Sequence, residues 1–379
     1  MKIPRVIITS AGIYHTYHAA RAAEKCGSLE RFITGIYDPR QSDGIAPEHI
    51  QKVPLPNYLG FAIQQIPSQH SVYIQYLVRD NLYDRLAQRY ITPVDVFHGW
   101  NHQSLYSLRK AKEMGAVTLI ERSTAHPTIQ TQILEEEMAR FGLNYPASAK
   151  WLNEKHIQEY DEADYIVTCS EFVDRTFIEM GYPAEKLKRI HLGFDASRFA
   201  PAPKQDDVFR IVYAGMITIR KGIHYLLEAF KQLNIPNSEL VLVGALSQDS
   251  KLFLPQYEGL YTHIPFVTHD RLPELFQSAS VFVMPSIEDG FGMVVYEAAA
   301  CGVPVIATEN VGAALRDGID GFVVPIRDAK SLAERITQLY EDPDLRERMG
   351  QSARAYVSQY TWEAYHQQMA ELYQQVVQR

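Results

Sequence analysis

Short apolar runs alternate with stretches of helical period through most of the chain. Arg5-Val-Ile-Ile-Thr-Ser10 predicts a buried strand, followed by Ala11-Gly12-Ile13-Tyr14-His15 and a helix from His15 to Lys25 that stops at Gly27. Val94–Trp100 and Ala116–Ile120 read as further strands, and Tyr160–Val173 as a helix end, a strand and a new helix starting at Ser170. A second series begins at Phe209–Gly215 and continues with a helix over Ile223–Leu233, a strand at Glu239–Gly244 and another at Val281–Met284. Met293–Cys301 then predicts a helix, Val303–Ala307 a strand, and Tyr360–Val376 the last helix. Strand, glycine turn and helix in repetition predict α/β halves with parallel sheets buried on both faces. The proline-rich, polar segment Pro201–Asp207 reads as the linker between them.

Bulk composition narrows the class. The 379 residues suffice for two domains, with 46% apolar and 22% charged positions and no biased tract. A net charge of -8 argues against nucleic acid as a partner. Cys26, Cys169 and Cys301 have neither disulfide nor zinc spacing and read as reduced structural residues. The first apolar run is too short for a signal peptide and no run approaches the length of a membrane span, so a cytoplasmic location is expected. Between Lys52 and Arg79 only His70 can carry charge. A loop with a core helix is the plain reading of that stretch. An acceptor-binding element, or one resting peripherally on the inner face of a membrane, is the alternative.

The most informative chemistry lies at Pro285-Ser-Ile-Glu-Asp-Gly-Phe-Gly292. Gly290 and Gly292 permit a tight turn and close approach of a ligand. The turn leads into a helix whose unpaired N–H groups favour an anion such as a diphosphate. Asp289 sits in the turn and Glu297 more than one turn into the helix, roughly 6–8 Å along its axis. Two carboxylates beside an anion site suit the hydroxyls of the rings on either side of a sugar nucleotide. The bland alternative is that Asp289 caps the helix and Glu297 is solvated.

Pro-Ser-x-x-Asp-Gly-Phe-Gly, followed by Glu-Ala-x-Ala-x-Gly-x-Pro-Val-Ile-Ala, resembles the donor-site signature of glycosyltransferase family 4. Asp289 stands where that family has glutamate. The segments Ala163–Ser170, Gly193–Phe199, Lys221-Gly222, Asn310–Gly312 and Gly321–Pro325 are similar to the family as well. The resemblance implies an α/β GT-B architecture, two Rossmann-like domains facing a central cleft. Residues 1–200 would bind the acceptor and 201–357 the donor, while 358–379 would form a helix crossing back onto the first domain. It further implies retaining, metal-independent transfer of a hexose from a UDP or GDP sugar to a glycan, lipid or small-molecule acceptor, with no cofactor. Glu297 would hold the ribose and Asp289 the donor sugar. Amides at Gly290, Phe291, Gly292 and Met293, with Lys221 and Arg220, would stabilise the diphosphate, while Gly215, Phe266, Val267 and Val294 complete the donor site.

In the first half, the resemblance implies that the loop after the first strand faces the cleft, which makes Gly12 and His15 candidates for an acceptor or phosphate loop, and His98, at the end of another strand, joins them. His18 is as well explained by an ordinary helix face. Arg122 is a candidate to pair with a phosphate and His126 to orient a hydroxyl, a structural role for Arg122 being the alternative. Asp342-Pro-Asp344 spells a metal-binding pattern but lies between the last helices, so no metal site is expected. A nucleotide-sugar epimerase and a non-catalytic sugar-nucleotide or glycan-binding protein of the same fold are the competing readings. The second rests on Met216, which stands where the family has arginine. A dinucleotide-dependent dehydrogenase is disfavoured because Gly-x-Gly-x-x-Gly is missing after the first strand.

Overall fold

The computed structural model describes residues 3–66 and 71–378. The strands of the first half are β1 (Val6–Ser10), β2 (Leu29–Thr34), β3 (Ile50–Lys52), β4 (Val96–Trp100), β5 (Val117–Arg122), β6 (Tyr165–Thr168) and β7 (Leu187–Arg189). They form one parallel sheet in the order β3-β2-β1-β4-β5-β6-β7. Its helices are α1 (Thr16–Lys25), α2 (Leu55–Gln64), α3 (Ser71–Ala87), α4 (Leu105–Glu113), α5 (Pro127–Arg140), α6 (Ala147–Glu162) and α7 (Glu171–Glu179). The second half repeats the plan with β8 (Phe209–Ala214), β9 (Ser238–Val243), β10 (Thr262–Ile264), β11 (Val281–Met284), β12 (Val305–Thr308) and β13 (Gly321–Val324), ordered β10-β9-β8-β11-β12-β13. Helices α8 (Ile223–Gln232), α9 (Leu272–Gln277), α10 (Met293–Ala300), α11 (Ala329–Glu341) and α12 (Pro343–Val357) cover it, and α13 (Trp362–Val376) closes the chain.

Both orders have the doubly wound form, in which the strand order reverses beside the first strand and ligands bind at the carboxyl ends there. Central strands such as β1, β4 and β11 are buried along their whole length, as expected when helices cover both faces. Helix α13 returns to the first half, where it packs on α1 and Tyr373 Oη meets His98 Nδ1 at 2.9 Å. The two chain crossings between the halves pair with each other, Phe194 N–H donating to the Tyr360 carbonyl at 3.1 Å.

Two expectations change in detail. Residues 53–78 form two helices with residues 67–70 outside the described chain, and α2 turns Leu55, Tyr58, Leu59 and Phe61 outward instead of into a core. It faces the protein through small or polar positions, Pro56, Asn57 and Gly60, which let its backbone approach α3. His15 is the N-cap residue of α1 and not its first turn. Asp342 caps α12, its side chain accepting from Leu345 N–H at 2.8 Å. Among the described residues no helix is long and apolar enough to cross a membrane.

Candidate active site

The glycine turn between β11 and α10 lies against a 3₁₀ turn, Ile219–Lys221, that follows β8. Backbone bonds fix the two together, Ile287 N–H donating to the Arg220 carbonyl at 2.9 Å. Consecutive cations therefore meet consecutive carboxylates. Arg220 Nη1 lies 3.1 Å from Glu288 Oε2, and Lys221 Nζ is paired with Asp289 Oδ2. Asp289 Oδ1 also accepts from Gly292 N–H at 3.1 Å and Phe291 N–H at 3.4 Å. Burial opposes its charge, yet Lys221 and Arg220 together hold its carboxyl below the ordinary carboxylate value. Its carboxylate thus caps the turn before α10 while paired with Lys221. Gly292 opens α10 with φ +68°, a backbone region glycine enters without strain.

Gly290 turns out to approach the first domain. A β-carbon on it would fall 1.9 Å from the Ser123 carbonyl oxygen. Ser170 Oγ donates to the Gly290 carbonyl at 2.7 Å, placing the loop after β6 on the same spot. Beside it, Glu288 is fully buried and accepts from Ala125 N–H at 3.2 Å and from Gln130 Nε2 at 3.0 Å, besides Arg220. The residue preceding Asp289 is therefore the acid that joins the halves. A second buried acid, Glu137 of α5, takes His224 at 2.9 Å and Arg327 at 2.6 Å across the same boundary.

Further along α10, Glu297 is almost fully buried, with His269 Nε2 at 3.3 Å. Burial raises its carboxyl and His269 opposes the rise. His269 also meets Arg198 Nη1 at 3.2 Å, so the loop after β10 closes over the ribose-side candidate. In that loop Phe266 is 75% exposed, free to pack a flat ring, while Val267 is half-buried. Gly215 ends β8 with its N–H on the Val243 carbonyl at 2.9 Å, and Met293 and Val294 form the half-buried first turn of α10.

The candidates of the first half separate. Gly12 N–H is held by Ser10 Oγ at 3.3 Å. His15 Nε2 is paired with Glu121, whose other oxygen stands 3.1 Å from His98 Nε2. His98 is fully buried beneath α13, so it supports this trio and is closed to an acceptor. Arg122 is turned onto its own loop, donating to the Ala125 carbonyl at 2.9 Å and Gln130 Oε1 at 2.9 Å, and is not placed to pair with a phosphate. The inward carbonyls of that buried loop need a donor, and Arg122 supplies it. His126 Nδ1 accepts from Thr128 N–H at 3.3 Å, and its ring stands edge-on to Phe177. It caps α5 within an aromatic cluster through Nδ1, and its buried Nε2 has no partner among the described residues. Burial pushes it down to about 4, with Arg122 adding to the effect.

Glu121 gives a pH signature. Burial raises its carboxyl from 4.5 to about 7, His15 opposing. A value raised in the folded state means the protonated form favours folding. This contribution is whole below about pH 4.5 and is lost as pH rises through about 7. Thermal unfolding of Glu121→Gln, which cannot titrate there, should show a flatter decline between pH 5 and 8 than the parent, at about 1.4 kcal/mol per unit of displacement. Equal slopes in the two proteins would refute the assignment.

Of the donor-site candidates, Asp289, Lys221 and the amides of Phe291 and Gly292 meet in space, while Arg220 goes to the neighbouring Glu288. Sequence reasoning did not find Glu288, Gln130, Ser170 or His269 as partners. Glu288, by its adjacency to Asp289, Ser170, by its place at a family-like helix start, and His269, by its place after Phe266-Val-Thr268, left a trace in the sequence; Gln130 left none.

Comparison with known proteins agrees with this geometry. Residues 195–356 match the family model described as glycosyl transferases group 1. The chain is 30% identical over 255 residues to the putative glycosyltransferase EpsD of Bacillus subtilis, covering 62% of this chain and 65% of that one. It therefore spans less than two thirds of that relative. In three dimensions it is similar to sucrose-phosphate synthase (tll1590) from Thermosynechococcus elongatus, with a TM-score of 0.72, 20% identity and 98% of each chain covered. It is also similar to Anabaena HepE, solved in complex with UDP and glucose, with a TM-score of 0.66, 16% identity, and coverage of 98% of this chain and 100% of that one. These likenesses establish a GT-B arrangement of two facing parallel-sheet domains.

Proposed function

We propose, from the match of residues 195–356 to the group 1 glycosyl transferase model, that the chain moves a hexose from a nucleotide-diphosphate sugar to a hydroxyl of a glycan, lipid or small molecule, with retention and without a metal ion. The observation that carries the reading is the Lys221–Asp289 pair seated on the N-terminus of α10. A diphosphate arriving there would draw Lys221 and the amides of Phe291 and Gly292 away from Asp289, whose carboxylate then accepts from sugar hydroxyls. Positive charge fixed in advance where the leaving group gains negative charge can be the largest catalytic term. Arg220 adds its field from its place on Glu288. Glu297, steered by His269, would take the ribose hydroxyls. The UDP-bound fold neighbour makes UDP sugars the first donors to try.

The acceptor oxygen forms its bond to the anomeric carbon as the bond to the diphosphate oxygen breaks. The diphosphate leaves with that electron pair and takes the acceptor's proton. Front-face attack is favoured because the nearby acids are engaged elsewhere, Asp289 with the donor-sugar hydroxyls and Glu288 with the domain contact. The test is a panel of UDP- and GDP-hexoses with candidate acceptors, read as nucleotide release and product anomer by NMR, with and without EDTA. The same anomer as the donor, formed at an unchanged rate in EDTA, is expected. The opposite anomer refutes retention, and donor consumption without any glycoside refutes transfer.

A further inference from the structure

Away from the cleft, a groove of about 650 Å³ lies where the two chain crossings meet α1 and the start of α13. Four basic side chains converge on it and bond chiefly to one another. Lys25 Nζ stands 3.2 Å from His366 Nδ1, His366 Nε2 stands 3.2 Å from His18 Nδ1, and Arg21 Nη1 stands 3.1 Å from the same His18 nitrogen. The rest of the Arg21 fork donates to the carbonyls of Gln41 and Asp43, each at 2.9 Å. No carboxylate stands among these partners. Three helical positions, 18, 21 and 25, present this row from one side of α1, and His18 is clamped flat on Trp362 with ring centroids 3.5 Å apart.

Cations gathered this closely repel one another, and the arrangement is stable only with the imidazoles neutral or with an anion among them. Burial, with Arg21 next, pushes His18 down to about 3; burial, with Lys25 next, pushes His366 to about 4. The acids in electrostatic reach are Asp43 and Glu363, while Asp195 across the groove is bound to Arg198 at 2.7 Å. We propose that this groove is a binding site for a phosphate-class oxyanion, either inorganic phosphate or a phosphomonoester, held by Lys25, Arg21, His18 and His366. The oxyanion accepts from the ammonium, the guanidinium edge and the imidazole N–H groups, and the histidines take up protons as it binds. Its oxygens accept from the Lys25 and Arg21 N–H groups that these contacts leave over.

The full chain is titrated calorimetrically with inorganic phosphate, and separately with glucose 6-phosphate, in two buffers of different ionisation enthalpy. One saturable site with net proton uptake is expected for at least one of them, and the tighter of the two identifies the source of the phosphate. Lys25→Gln, an exposed position that leaves the core intact, and Arg21→Gln should each weaken binding about tenfold or more, as for a lost charge-assisted contact. Lys221→Gln, in the donor cleft, should leave it unchanged. Absence of saturable binding, or binding that responds to Lys221→Gln and not to Lys25→Gln, overturns the proposal.

Discussion

Replacing Lys221 by Ala is expected to lower the rate constant of sugar transfer by roughly 10²–10³-fold, the usual effect of losing one fixed charge-stabilising group. The ammonium is paired with Asp289 beside the amides of Gly292 and Phe291, so its charge sits where the departing diphosphate gathers electrons. Its removal also frees the Asp289 carboxyl, now held low chiefly by Lys221, to rise toward its ordinary value. Lys221→Arg keeps the charge and should recover part of the rate. The readout is kcat under saturating donor, with circular dichroism to show that the fold persists. If Lys221→Ala retains parental kcat, the leaving-group role is wrong.

Gly290→Ala should be nearly as damaging by a different route. The added carbon would meet the Ser123 carbonyl at 1.9 Å and Thr124 Cα at 2.7 Å. Both are backbone atoms, and no rotamer relieves the clash. The loops after β5 and β11 must then separate, loosening Ser170 from the Gly290 carbonyl and Ala125 and Gln130 from Glu288. Each sheet keeps its own core, so the loss falls on how the domains face each other. A displacement of about 1 Å between reacting groups costs on the order of 10²-fold in rate. Reduced kcat/KM together with a larger radius of gyration by X-ray scattering is expected. Parental activity and radius in Gly290→Ala would show that the contact is dispensable.

The sequence carried the elements and the donor turn well because both are local. Val281–Met284 is a fully buried strand, and the helix start at Met293 follows from two glycines and a run of small apolar residues. What it carried poorly depends on residues far apart in the chain. Gly290 reads as a place for a ligand, yet its missing side chain makes room for Ser123, 167 positions earlier. Arg122 and His126 lie at a strand end that should face the cleft, but alternation along β5 and the turn after it sends both side chains inward. His98 is hidden by α13, which arrives from the far end of the chain. Lys221 and Arg220 illustrate the intermediate case. Their adjacency is visible, but that they divide between Asp289 and Glu288 depends on the packing of two loops.

On the proposed function, the turn before α10 and the buried Glu297 of that helix form a nucleotide-sugar site. Calorimetric titration of UDP, GDP and ADP into the parent chain and into Glu297→Ala tests this most directly. A ligand at a hundred times its dissociation constant adds about 2.7 kcal/mol of stability, so a parallel thermal-shift series gives an independent reading. Saturable binding of one nucleoside diphosphate is expected, lost or severely weakened in Glu297→Ala while the fold is retained. Binding of that nucleotide with undiminished affinity in Glu297→Ala, or binding of none of the three to the parent chain, would contradict it.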